Sequence, residues 1–127
     1  MKIFRFMSKK EFEKYKNGEI LKNNTKHSGF TDSVGFCFMN IEDVDPEDAY
    51  EFLSGIVSDD ICVVFETDKK MKKSWGRYAD PYGSFFDTIV KTEYCTNQYS
   101  IDDFKLLKVG YPPIFSWDFD KWKWSNS

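Results

Sequence analysis

The sequence predicts one α+β domain with a largely antiparallel, twisted sheet and two or three helices. The predicted elements alternate between strand and helix in the first half, and the last strands follow one another without helices, which favours antiparallel pairing. The length of 127 residues fits one domain of roughly 100–200 residues. Aromatic residues make up 19% of the chain and bury large areas. We therefore assign residues 1–127 to one domain, with an aromatic-rich tail over 110–127 packed on it.

Two segments carry the start signals of helices. Ser8 and Glu11 stand at capping-box spacing, which predicts a helix over 9–17. A second helix start is predicted at 45–48, where the sequence reads Asp-Pro-Glu-Asp. The aspartate at 45 can cap the helix N-terminus, proline is favoured at the first helical position, and the two following acids interact favourably with the positive end of the helix dipole. Helical spacing of apolar residues then predicts a helix over 46–57.

Short runs that alternate apolar and polar residues, or that are rich in β-branched and aromatic residues, predict the strands. These runs lie at 2–6, 33–39, 61–65, within 85–94, and at 104–109. The segment 22–32 is polar and is predicted to be a loop. Residues 68–84 are polar, basic and glycine-containing, and predict a second, long loop.

Composition limits the classes of partner. Eighteen basic and 21 acidic residues give a net charge of −3, which argues against binding of bulk nucleic acid. No segment approaches the roughly 20 apolar residues of a membrane span, and the apolar start is too short for a signal peptide. Cys37, Cys62 and Cys95 have neither disulfide-framework nor zinc-ribbon spacing and fit a reducing compartment. We expect a cytoplasmic protein without membrane contact.

The sequence lacks the residues that several classes of functional site require. The chain has no glycine-rich phosphate loop of the Walker or dinucleotide type. Its one histidine, His27, excludes a two-histidine metal site within one chain and is interpreted as a polar loop residue. No metal ligand is predicted.

Three residues remain as candidates for chemistry. Arg5 interrupts an apolar strand; it either faces solvent or offers its planar fork of donors to an anion. Ser33 opens the next predicted strand. Glu93 lies near a strand although glutamate is depleted in strands. For Ser33 and Glu93, plain exposure at a strand is the simpler alternative.

The stretches that hold these residues are KIFRF, TDSVGF and KTEYCTNQYSIDDFKLLKV. Their order, over roughly residues 2–109, resembles the mono-ADP-ribosyltransferase fold family. That family has an arginine in its first core strand, a serine-containing segment opening a later strand, and a glutamate just before a late strand. The resemblance implies an ADP-ribosyltransferase-like fold, with NAD as substrate and a protein acceptor.

The resemblance also implies residue roles. Glu93 is the catalytic carboxylate, Arg5 holds the diphosphate or ribose side of NAD, and Ser33 supports the nicotinamide half or orients Glu93. Many members carry a second Glu or Gln two residues before the catalytic Glu, where this chain has Lys91, and the family's Ser-Thr-Ser pattern is incomplete around Ser33. These departures put activation of the acceptor in doubt and leave open a nucleotide binder without turnover.

The basic and aromatic residues of 69–83 allow two interpretations. They form a solvated surface, or they contact phosphates and stack on bases. In the transferase interpretation, Trp75, Tyr78 or Tyr82 flanks the NAD pocket, and we assign Trp75 and Tyr78 as NAD-binding residues.

The aromatic tail suggests the alternative function. Its rings either pack back onto the sheet, since monomers avoid exposed apolar patches, or bind a partner. They are Phe115, Trp117, Phe119, Trp122 and Trp124. The alternative is a non-enzymatic binding or inhibitor protein, of the kind that phages encode against host or defence proteins, acting through the basic–aromatic loop and this tail.

Overall fold

The computed structural model describes residues 1–26, 32–57, 60–84, 86–112 and 122–126, and of 54–57 the backbone alone. These residues form an α+β domain with two helices, a seven-stranded antiparallel sheet and a small two-stranded sheet, as the sequence predicts at this level. The helices are α1 (Lys9–Lys16) and α2 (Pro46–Val57). The strands are β1 (Lys2–Met7), β2 (Leu21–Lys22), β3 (Phe36–Asn40), β4 (Ile61–Thr67), β5 (Lys72–Ala79), β6 (Thr88–Thr96), β7 (Gln98–Tyr99), β8 (Phe104–Tyr111) and β9 (Lys123–Ser125).

The large sheet has the order β5-β6-β3-β1-β4-β8-β9, with every neighbouring pair antiparallel. The first strand of the chain therefore lies in the middle of the sheet. The two-stranded sheet pairs β2 with β7. This order brings the strand after Ser33 next to the strand that carries Glu93.

Both helices start where their capping signals stand. The Ser8 side chain accepts a hydrogen bond from the Glu11 N–H at 3.1 Å, and α1 begins at the next residue. The Asp45 carboxylate accepts from the Glu47 N–H at 2.9 Å at the start of α2. Each side chain satisfies a backbone donor that the helix leaves unpaired.

Alternation along the strands divides the core between the two faces of the sheet. The α1 face is built on Ile3 and Met7 of β1 and on the rings of helix α1 and of strands β3 and β4. The α2 face is built on Phe4 and Phe6, packed against the second helix. Side chains at neighbouring positions of one strand therefore enter different cores.

The predicted loop at 68–84 is wrong for its central part, because Lys72–Ala79 forms β5. Its lysines conceal a regular alternation in which Ser74 and Gly76 are buried while Lys73 and Trp75 are exposed. β5 is an edge strand, where exposed charges discourage pairing with another chain. The polar residues of this segment therefore belong to an edge strand of the sheet rather than to a loop.

The bounds of other strands differ by a few residues from the predicted bounds. The strand predicted at 33–39 begins at Phe36, so Ser33 precedes it, and the strand predicted within 85–94 extends to Thr96. β2, β7 and β9 were not predicted; each has two or three residues. Strands this short carry too little pattern to be recognised.

The described part of the tail packs on the sheet. β9 pairs with β8, and Trp122 is 9% exposed, with its ring 6.1 Å from Phe6 and 5.1 Å from Tyr50 between centroids. Phe115, Trp117 and Phe119 lie outside the described residues, as does His27. Within the described ranges, no helix has the length and apolarity needed to span a bilayer.

Candidate functional site around Glu93

Glu93 is a buried carboxylate in the middle of β6. Its residue is 2% exposed, and it lies directly opposite Ser74 of the edge strand β5. The strand alternation directs it to the α2 face, together with Cys95 two residues later. Burial of a carboxylate is costly unless hydrogen bonds satisfy it, so its partners define the site.

The segment before β3 brings Ser33 to this carboxylate. Asp32 exchanges hydrogen bonds with the backbone of Trp75: its Oδ1 accepts from the Trp75 N–H at 2.8 Å, and its N–H donates to the Trp75 carbonyl at 3.3 Å. Gly35 has φ +85°, and a Cβ there would stand 2.5 Å from the Thr96 carbonyl oxygen. The glycine thus allows the chain to pass closely over β6 before entering β3.

Hydroxyl groups satisfy both oxygens of the Glu93 carboxylate. The Ser33 Oγ donates to Oε2 at 2.7 Å and lies 2.7 Å from the Ser74 Oγ. The Tyr78 hydroxyl donates to Oε1. Burial, reinforced by the negative Glu93, raises the pKa of Tyr78, so the phenol stays protonated as a donor.

Gly76 makes room for this arrangement. A Cβ on Gly76 would lie 2.2 Å from Glu93 Oε1 and 2.8 Å from the Tyr78 hydroxyl. Any larger residue would displace one of these two groups. The site therefore depends on a glycine in an otherwise ordinary edge strand.

Two cysteines adjoin the carboxylate. Cys37 of β3 lies directly opposite Cys95 of β6, and their sulfurs are 3.4 Å apart. The hydrogen bond between them lowers the pKa of the Cys95 thiol to about 6, against the effect of burial, with further support from Ser33 and Ser74. The same hydrogen bond, together with burial, raises the pKa of Cys37. From the sequence, Cys37 is interpreted as a small apolar residue in an apolar run, and Cys95 is given no role. The signal for the site is the Glu-Tyr-Cys spacing at 93–95, which places Glu93 and Cys95 on one face.

A pocket of about 110 Å³ opens beside these groups. Its wall combines residues of β1, β3, the second helix and the two strands at the sheet edge: Phe4, Arg5, Phe6, Cys37, Met39, Leu53, Tyr78 and Glu93. The wall is mainly apolar, with the carboxylate and the phenol as polar groups. This composition suits a small group that is recognised at one polar end.

The structure does not bring the Arg5 guanidinium to Glu93. Arg5 points to the α1 face, where its Nε and Nη2 donate to the two oxygens of Glu11 at 2.8 and 3.0 Å, and its Cζ lies 5.2 Å from the centre of the Phe36 ring. The Tyr99 hydroxyl donates to the same Glu11 at 2.8 Å. Burial by itself lowers the pKa of Arg5, but the hydrogen bond and charge of Glu11 outweigh burial and the net shift is upward, so the guanidinium keeps its charge. Arg5 thereby ties β1 to α1.

The two aromatic candidates of β5 are also separated. Tyr78 faces Glu93, whereas Trp75 lies on the opposite face, with the Arg77 Cζ 6.0 Å from the centre of its ring. Strand alternation forbids residues three apart from sharing one face. Of the predicted site residues, the structure thus brings together Ser33, Tyr78 and Glu93. Arg5 lines the pocket but its guanidinium pairs with Glu11, and Trp75 lies on the opposite face.

A larger pocket of about 520 Å³ lies beyond Phe52, next to the Glu93 site. Its lining includes six carboxylates and one cation: Glu42, Asp43, Asp45, Asp48, Glu51, Asp80 and Lys91. The excess of negative charge opposes binding of a diphosphate. For this reason we do not assign NAD to this pocket, although it is the larger of the two.

The chain matches no protein-family model, no curated protein and no solved structure.

Proposed function

We propose that this protein is ADP-ribosyltransferase-like, that it binds NAD, and that it cleaves the nicotinamide–ribose bond to transfer ADP-ribose to an acceptor. One observation carries the proposal. Ser33 and Glu93, 60 residues apart in sequence, meet at 2.7 Å, and Glu93 lies in the wall of a pocket. These are two of the three residues for which the sequence resembles the transferase family.

The chemistry of the bond explains the need for a carboxylate. When the bond breaks, nicotinamide leaves with the electron pair, and positive charge develops on the ribose ring, as in glycoside hydrolysis. Glu93 would stabilise that charge, and the acceptor would then form a bond to the same ribose carbon and lose its proton. The Ser33 hydroxyl holds the carboxylate in place throughout.

The pocket size limits how much of NAD enters. At about 110 Å³ it is well below the roughly 300 Å³ at the lower end of ordinary ligand pockets. In the proposal it receives the nicotinamide ring beside the Tyr78 ring, and the adjoining ribose lies at its opening. A ribose hydroxyl replaces the Tyr78 hydroxyl on Glu93, and the diphosphate remains outside.

Lys91 affects the choice of acceptor. It lies two residues before Glu93, with its Nζ 5.6 Å from the centre of the Phe52 ring. An ammonium group offers no lone pair and cannot take a proton from an acceptor. The proposal therefore requires an acceptor that does not depend on a base at this position.

The test is nicotinamide release from NAD, with binding followed by calorimetry. Glu93→Gln is expected to lower the release rate by about 10²–10³-fold, the usual cost of losing one electrostatic stabiliser of a transition state. Ser33→Ala should lower it less, because the carboxylate remains. The matched controls Glu66→Gln and Ser125→Ala change exposed strand residues and should leave the rate unchanged. Absence of both binding heat and nicotinamide in the wild type would overturn the proposal.

A second candidate function has its own observation. On the outer face of β5 and β6, Trp75 is 39% exposed and Val90 is 60% exposed, beside the cations Lys73 and Arg77. An aromatic residue among cations suits an acidic partner protein. Loss of a partner from cell extract on Trp75→Asp, but not on Tyr111→Asp at another exposed ring, would favour the binding protein.

A further inference from the structure

We propose that Cys37, Cys95 and Glu93 form a site for a soft divalent cation of the Zn²⁺ type, with one coordination position open to the adjoining pocket. Their sulfur and oxygen atoms all lie within 4.8 Å of one another. Thiolate and carboxylate are both zinc ligands. This metal site shares Glu93 and the pocket with the proposed NAD chemistry, and metal binding is tested separately from it.

The distances between the candidate ligand atoms fit zinc coordination after small side-chain movements. Zinc–sulfur bonds of about 2.3 Å at tetrahedral angles place two sulfurs about 3.8 Å apart. The sulfurs of Cys37 and Cys95 are 3.4 Å apart. Two of the ligands are spaced i and i+2 on β6 and the third lies opposite on β3, so the sheet itself fixes their positions. A shift of a few tenths of an ångström in the side chains would complete the geometry.

Outer hydrogen bonds already orient the ligands, as in known metal centres. Ser33 and Tyr78 donate to the Glu93 oxygens, and the Ser74 Oγ lies 3.3 Å from the Cys95 sulfur. A carboxylate oxygen has a second lone pair, so metal binding does not require these bonds to break.

Electrostatics also favours a cation. Glu93 and Cys95 are 2% and 3% exposed, and Glu93 forms no ion pair with any lysine or arginine of the described ranges. Buried acidic groups are normally paired with a positive charge or with a metal. Cys37 and Glu93 line the pocket of about 110 Å³, which provides both the entry path and the open fourth position of a three-ligand site.

The experiment is a titration of the reduced, full-length chain with Co²⁺, a coloured substitute for Zn²⁺, in the presence of a phosphine reductant. A thiolate-to-cobalt charge-transfer band is expected, and Zn²⁺ should abolish it by displacement. Cys37→Ser and Cys95→Ser should each lose most of the band, and Glu93→Gln should weaken Co²⁺ binding at least tenfold. Cys62→Ala, at the buried cysteine outside the cluster, should retain the wild-type band. Circular dichroism would confirm that each variant is folded.

The proposal fails if reduced wild-type protein gives no charge-transfer band, or if the band survives in both serine variants. It also fails if the protein binds no Co²⁺ but, once the reductant is removed, is oxidised by dissolved oxygen to a Cys37–Cys95 disulfide, which mass spectrometry detects as the loss of two hydrogen atoms. The outcome is separable from the NAD proposal, because the serine variants report on metal binding whether or not the protein releases nicotinamide.

Discussion

At the residue scale, the Glu93 site depends on contacts between side chains that are remote in sequence. Ser33 and Tyr78 each donate to a different oxygen of the carboxylate. Gly76 leaves the space that the carboxylate and the phenol fill. The same neighbourhood holds the Cys37 and Cys95 sulfurs. One buried carboxylate therefore lies at the centre of both proposals.

Gly76→Ala tests how closely the space above Gly76 fits the Glu93 carboxylate and the Tyr78 hydroxyl. An added Cβ would stand 2.2 Å from Glu93 Oε1, so the carboxylate must move away from Ser33 or from Tyr78. We expect a loss of nicotinamide release and weaker Co²⁺ binding, with overpacking lowering the free energy of unfolding by about 1–3 kcal/mol. Thr92→Ala, on the opposite face of β6, serves as the control. Wild-type release and Co²⁺ affinity in Gly76→Ala would contradict the described geometry.

The ion pair of Arg5 with Glu11 predicts a structural role for the arginine. Both side chains are largely buried, with 20% and 16% exposure, so removal of one leaves the other without its partner. Arg5→Ala should lower the free energy of unfolding in urea by about 3 kcal/mol, the lower end for a buried pair. A double-mutant cycle with Glu11→Gln should show a coupling energy well above that of a surface pair. Near-additive effects would show that the pair does not form.

At the element scale, the edge strand β5 contributes to two different surfaces. Ser74, Gly76 and Tyr78 face the carboxylate, while Lys73, Trp75 and Arg77 face outward. The residues predicted as one basic–aromatic loop are thus sorted by strand alternation into a buried site and an exposed face. Residues of the two faces therefore cannot line one pocket together.

The short strand β9 and its preceding residue tie the described part of the tail to the sheet. Trp122 contacts Phe6 and Tyr50, and its ring stacks at 5.8 Å with Trp124. Trp122→Ala should lower the free energy of unfolding by about 3–5 kcal/mol, because a buried aromatic ring is replaced by a cavity. Trp75→Ala, at an exposed ring, should change it far less. Equal effects in urea denaturation would indicate that the Trp122 ring does not pack in the core.

At the scale of the whole molecule, one sheet separates two cores. Phe38 lies in the core on the α1 face and Leu53 in the core on the α2 face, and the strands that support both are shared. We expect Phe38→Ala and Leu53→Ala each to shift one common unfolding transition, monitored by far- and near-ultraviolet circular dichroism. Two separate transitions in either variant would show that the cores unfold independently.

The fold class, both helix starts and five of the seven strands of the large sheet follow from local sequence patterns. Capping residues such as Ser8 and Asp45 act on their own neighbours, and the alternation of apolar residues is likewise local, so both can be recognised without coordinates. The sequence also singled out Ser33, Tyr78 and Glu93, which the structure brings together.

Which of the candidate residues share a site depends on the long-range pairing of the strands. The direction of each strand side chain depends on register and pairing, which placed Arg5 with Glu11 and Trp75 on the outer face. The contact between Cys37 and Cys95 likewise arises from the pairing of β3 with β6, strands whose separation in sequence hides their proximity. Long-range pairing, rather than any local pattern, assembled the site.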